Sequence, residues 1–225
     1  FDVLHQIEDQ TTLVTIKAQL NNGDDFYIVG GDQTKLYTKT ELEKLVKDKF
    51  ISVEESWIKT NQKAGSTVGE GDLKVVFDKA DAGEVAITSI TVDKSKLNDG
   101  ATLPPSYKQD VSDAVGSLVH YKNGESYYTV RVKHFGDDLT PWKSGELGVK
   151  VGDVYPTTNQ AENWLGRYGV LRNNWYELSV TDVRGLGSAT VPKLTKTTDD
   201  ELDSYIAVQI NVLSWAKRTQ STVLH

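Results

Sequence analysis

Tyr128-Thr129-Val130-Arg131-Val132-Lys133-His134 alternates apolar or aromatic residues at even positions with polar residues at odd ones. Successive side chains of a strand point to opposite faces, so this pattern sets one face on a core and the other in water. The same alternation recurs at Val14–Leu20, Tyr176–Val180 and Ile206–Val212. The even residues of these stretches are expected to be the inward ones. Strands buried in a parallel sheet are apolar on both faces, so the alternation points to antiparallel pairing.

Weaker strand signals lie at Leu73–Phe77 and Val85–Val92, with Asp81-Ala82-Gly83 as the expected turn between them. Asn22-Gly23 and Asn123-Gly124 are stronger turn signals, because both residue types accept positive φ. The second precedes the strand at Tyr127, so Val119-His120-Tyr121 is expected to pair with that strand. Two helices are expected. Leu42, Leu45, Val46 and Phe50 form one apolar stripe, with Thr38 and Glu41 at capping-box spacing. Tyr107, Val111, Ala114, Val115 and Leu118 form another after Pro104-Pro105, with Ser106 and Gln109 at the same spacing. Together these predict an all-β fold, an antiparallel β-sandwich with short helical insertions. Residues 51–103, richer in Gly, Asp and Lys than their flanks, read as an insertion within one domain spanning 1–225.

The chain has 225 residues, 25 Lys+Arg against 32 Asp+Glu, and a net charge of -7. At ~150 residues per domain, one large domain or two small ones fit. Mixed charges with an acidic balance argue against a large nucleic-acid footprint. Cysteine is absent, which removes disulfides, Cys–Zn sites, Fe–S clusters and thiol nucleophiles. Methionine is also absent, and we read the start at Phe1 as that of a processed or cut chain. No apolar run approaches the ~18 residues of a membrane-spanning helix.

The motifs of bond chemistry are missing. His5, His120, His134 and His225 show no metal-protease spacing, and no Gly-x-Ser-x-Gly elbow occurs. Val68-Gly69-Glu70-Gly71-Asp72 lacks the third glycine of a dinucleotide loop and precedes a strand, so it reads as a turn. Asp24-Asp25, Asp137-Asp138 and Asp199-Asp200-Glu201 lack calcium-loop spacing and read as solvated turns. No catalytic, metal or cofactor site is expected. Trp57, Trp142, Trp164, Trp175 and Trp215 suit packing, with stacking on sugar as the alternative. The tail after the last strand, Ser214 to His225, contains no Pro, Gly or acidic residue and alternates in part. Such a tail can add a strand to a neighbouring sheet, while a frayed terminus is the alternative.

Leu165-Gly166-Arg167-Tyr168-Gly169-Val170-Leu171-Arg172-Asn173-Asn174-Trp175-Tyr176-Glu177-Leu178-Ser179-Val180 resembles the C-terminal domain of the Bacteroidales fimbrillins, especially the stalk subunits of Porphyromonas-type minor fimbriae. Arg172, Asn173, Asn174, Tyr176 and Leu178 meet the family pattern leading into a strand. Gly185-Leu186-Gly187 and Tyr205–Trp215 are further matches, and Ser214 stands where many relatives carry proline. The resemblance implies a transthyretin-like β-sandwich and a non-enzymatic, cofactor-free subunit exported through the periplasm and outer membrane to a cell-surface fimbrium. It implies membrane contact only through a precursor lipid anchor. Polymerisation would proceed by donor-strand exchange, with the tail at 214–225 as donor and Trp215, Ala216, Val223 and Leu224 as its anchors. The implied partners are other fimbrial subunits, accessory tip or anchor subunits, and host or bacterial surface proteins. The amides of Asn173 and Asn174 are expected to satisfy backbone groups where the strand begins. An extracellular β-sandwich module binding carbohydrate or a host protein is the alternative reading.

Overall fold

The protein is described by a computed structural model covering residues 11–78, 81–132, 169–194 and, for the backbone alone, 206–214. In chain order these form β1 (Leu13–Gln19), β2 (Phe26–Val29), β3 (Asp32–Tyr37), α1 (Lys39–Val53), α2 (Glu55–Asn61), β4 (Leu73–Phe77) and β5 (Gly83–Glu84). They continue with β6 (Ile87–Val92), α3 (Tyr107–Val115), β7 (Leu118–Tyr121), β8 (Glu125–Arg131), β9 (Asn174–Val183) and β10 (Ile206–Ser214). The chain divides into two compact units. One comprises Lys17–Ser126 and Ser188–Thr190; the other comprises Phe1–Ile16, Tyr127–Gly187 and Val191–His225.

The unit at 17–126 is mixed α and β. Its four-stranded antiparallel sheet has the order β3-β2-β7-β5, and β4 pairs with β6 in a separate two-stranded ladder. The helices are its core. Leu42, Val46 and Phe50 on α1 are each 0% exposed and belong to one cluster with Val111 and Val115 of α3. Val68, Leu73, Val85, Ile87, Ile90 and Leu97 join the same cluster.

This corrects the expectation of an all-β, transthyretin-like sandwich. Among the described residues there are three α-helices of 15, 7 and 9 residues, and the sheets are open. The physical reason lies in the apolar stripes. The stripe of Leu42, Leu45, Val46 and Phe50 is expected from sequence to cover a sheet edge or loop. The stripes of α1 and α3 instead face the β4–β6 ladder and β2, so the helices supply core volume that a second sheet would otherwise supply.

The start of α1 is set locally. Glu41 N–H donates to Thr38 Oγ1 at 3.3 Å, and Thr38 N–H donates to Glu41 Oε2 at 2.8 Å. Thr38→Ala removes one half of this box and is expected to cost about 1 kcal/mol, read from the midpoint of a chemical melt. The box expected at α3 does not form. Ser106 already has helical φ and ψ and makes no side-chain cap bond, while Gln109 donates to Asp113 one turn on.

Two strand pairings also differ from expectation. Glu70–Asp72 is a single 3-10 turn leading into β4, as the glycine spacing suggested. The segment after β4 does not simply turn back: Gly83–Glu84 pairs with β7, and only Ile87–Val92 pairs with β4. β7 itself pairs with β2 and β5 and not with β8. β8 pairs with β1, and the Leu20 N–H to Gly124 O and Val132 N–H to Thr12 O bonds at its ends make that ladder antiparallel. Asn123 takes φ 54° and Gly124 φ 65°, so the Asn-Gly pair turns the chain from β7 into β8 without pairing them.

Parity holds along β1 and β8. Tyr128, Val130 and Val132 are buried, and Val14, Ile16 and Ala18 are the more buried positions of β1. On β9, Tyr176 and Leu178 are half-buried but Val180 is exposed. The side chains of β10 lie outside what is described.

Buried Glu54 joins α1 to α2. Burial, with the Asp110 carboxylate adding to it, pushes its carboxyl above the usual carboxylate range. A carboxyl raised on folding favours the native state only below its unfolded value of ~4.3 and opposes it once ionised. Glu54→Gln is therefore expected to raise the urea midpoint at neutral pH, with the gain vanishing in acid.

Candidate functional site

The motif at 171–178 forms the start of β9 in the second unit. Asn173 sits at φ 65°, and Asn174 Nδ2 donates to the carbonyls of Arg172 at 3.1 Å and Leu171 at 3.3 Å. Leu171 N–H donates to Tyr176 Oη at 2.7 Å. The turn is thus held by its own side chains, and Arg172 is exposed. Tyr128 Oη donates to Gly185 O at 2.9 Å, tying β8 to the Gly185–Gly187 segment.

β9 pairs antiparallel with β10 over nine residues of β10, with a bulge between Ala207 and Val208. The strand exposes Trp175 at 64%, together with Val180 and Val183, and Val170 and Leu171 precede it exposed. Trp175 and Tyr176 face opposite ways, and it is the tyrosine that is inward. Trp57 serves packing and structure: it is half-buried and its indole N–H donates to Thr102 O at 2.9 Å. The expected donor residues Trp215, Ala216, Val223 and Leu224 lie outside the described residues. So do His5, His134, His225, Trp142, Trp164 and the acidic clusters at 137–138 and 199–201.

A second arrangement, in the unit at 17–126, escaped the sequence reading. β2 and β7 pair Phe26 with Tyr121 and Tyr27 with His120. Both pairs stack, at centroid distances of 4.7 and 4.5 Å. His120 is 1% exposed, with Nδ1 3.0 Å from the Asp81 carbonyl oxygen and Nε2 3.2 Å from Asp25 Oδ2. Both neighbours are acceptors, so the ring satisfies them together only with a proton on each nitrogen. Asn123 N–H donates to Asp25 Oδ1 at 2.7 Å. Asp25 is therefore a clamp across β2, β7 and the Asn-Gly turn, whereas Asp24-Asp25 was read as solvated. The partners are 95 residues apart, and no local pattern links them.

The Asn123 N–H bond, with the His120 bond and charge and Lys122 behind it, holds the Asp25 carboxyl below its ordinary value against a smaller effect of burial. A carboxyl lowered on folding stabilises above its unfolded value of ~3.9, and the contribution is lost as pH falls through the folded value. Asp25→Asn is expected to cost ~1 kcal/mol at neutral pH, a modest figure because half of the side chain is in water. Urea midpoints of the two proteins should converge below that window.

Beside this pair lies an open cleft of about 380 Å³. Tyr27 and His120 form one wall, Val75, Phe77 and Asp78 another, and Lys39 and Glu43 of α1 the rim. Among the described residues no group of three His, Asp or Glu is placed to hold a metal ion, and no helix is long and apolar enough to cross a membrane.

Residues 119–221 match the family described as major fimbrial subunit protein type IV, fimbrillin, C-terminal. The match takes in β7, all but its first residue, through β10 and leaves the whole buried cluster at 27–118 outside it. No curated protein matches the chain. The family's description is that of a structural component, a major subunit of fimbriae. Residues 119–221, a little under half of the chain, are thus similar to the C-terminal region of the fimbrillins.

Proposed function

We propose that this protein is a structural subunit of a cell-surface fimbrium that polymerises by donor-strand exchange and supports adhesion. The fimbrillin match over 119–221 carries the reading. The β9–β10 ladder supports it, with exposed apolar side chains at Trp175, Val180 and Val183. Exposed apolar side chains along a strand mark an interaction surface, and a fibre subunit is where such a surface has a use. The donor is the tail at 214–225 of the neighbouring subunit. Its backbone supplies ladder bonds, and Trp215, Val223 and Leu224 supply side-chain anchors, with Ala216 where packing is tight. Other fimbrial subunits are the first partners, accessory tip or anchor subunits and host or bacterial surface proteins the next. Export through the periplasm and outer membrane, on a precursor lipid anchor, follows from the same reading.

A synthetic peptide copying 215–225 tests this. Added in excess to assembling full-length subunit, it should occupy acceptor edges and slow fibre growth, followed by light scattering and electron microscopy. Growth at the same rate as with a scrambled peptide overturns the proposal.

A further inference from the structure

We propose that the cleft between β4 and the β2–β7 pair is a binding site for a neutral polyhydroxylated ligand, a saccharide unit. Tyr27 is the first reason. The residue is 8% exposed and lines the cleft, yet its hydroxyl has no hydrogen-bond partner among the described residues. One face of its ring is covered by His120, so the hydroxyl is what it offers to the cleft. The hydroxyl opens on the cleft and is free to donate to and accept from a ligand.

The rim is the second reason. Lys39 and Glu43 stand one turn apart on α1, and among the described residues neither makes an ion pair. The Asp25 carboxylate is already engaged by His120 and Asn123 N–H, and Asp78 accepts from Ala86 N–H at 2.8 Å. An ammonium, a carboxylate and a phenolic hydroxyl are thus left facing one space. A cationic ligand meets Lys39, and an anionic one meets Glu43 with the Asp25 and Asp78 carboxylates beside it. Ligand hydroxyls donate to the carboxylate and accept from the ammonium and phenol, satisfying all three without bringing charge. Val75, Phe77 and Val85 form the apolar part of the lining, which suits the C–H face of a sugar ring. The volume, about 380 Å³, sits at the lower end of the small-molecule range of ~300–1,000 Å³.

Saturation-transfer difference NMR on the 225-residue chain tests the assignment. The probes are the methyl glycosides of glucose, galactose, mannose and N-acetylglucosamine, with arginine and acetate as charged probes. At least one glycoside should give a saturable signal. Tyr27→Phe, which removes only the hydroxyl, should weaken it about tenfold, and Glu43→Gln should do the same. Lys59→Gln, on the exposed face of α2, should leave it unchanged. If Tyr27→Phe does not fold, as judged by thermal melting, Glu43→Gln on the rim decides. No saturable glycoside signal, binding of arginine or acetate alone, or titrations of both cleft variants that overlay the parent overturns the proposal.

Discussion

Gly124→Ala should lower the stability of the unit at 17–126 by about 2–5 kcal/mol, a large share of the ~5–15 kcal/mol of an ordinary domain. Two costs combine. Gly124 takes φ 65°, where an L side chain costs roughly 1–2 kcal/mol. A Cβ built there would also lie 2.1 Å from the Leu20 carbonyl oxygen, which is backbone and cannot swing aside. The same residue's carbonyl accepts from Leu20 N–H at 2.8 Å, so relief by movement breaks the bond that closes the β1–β8 ladder. Gly65 provides the control: it has φ 77° but nothing within 4 Å of the added methyl group. Gly65→Ala should cost only the conformational share. Equal urea midpoints for the two variants would show that the close approach to Leu20 carries no weight.

A chain ending at Ser214 should stay folded and form no fibres. β10 runs Ile206–Ser214 and is paired with β9 along its whole length, so removing 215–225 takes no bond from that ladder. What is removed is the proposed donor strand. Its contribution would come from a row of backbone hydrogen bonds and three large apolar anchors, none of which the truncated subunit could replace. Fibre growth should therefore fall to nothing, while circular dichroism and the melting midpoint stay near those of the parent. Val223→Asp and Leu224→Asp in the full chain separate assembly from folding, because each places a charge on a donor anchor and leaves β10 intact. Normal fibres from the truncated chain or from the double variant remove the donor-strand mechanism.

Elements whose information is local were readable from residues alone. The Thr38–Glu41 box marks α1 because both partners lie within one turn and satisfy each other's backbone donors. The alternation at 128–132 gives the buried face of β8, because a period of two leaves one choice once a core exists. The Asn22-Gly23 and Asn123-Gly124 turns follow from residue types that accept positive φ. The box at Ser106 shows the limit of local spacing, since the serine was drawn into helical geometry and lost its capping position.

Partner choice was not local, and there tertiary packing ruled. Leu118–Tyr121 is followed at once by an Asn-Gly turn and a strand, a sequence that reads as a hairpin, yet it lies between β2 and β5. Stacking of its His120 and Tyr121 on Tyr27 and Phe26, with the Asp25 clamp, favours that partner over the adjacent one. The cleft beside Tyr27 arises the same way, from residues 27, 39, 43 and 75–78 that share no motif. A period of two or a capping box records what each residue does to its near neighbours. Which strand it pairs with, and whether a helix covers a core or constitutes one, depends on apolar area summed over distant segments. That sum turned an expected sandwich into helices packed on open sheets.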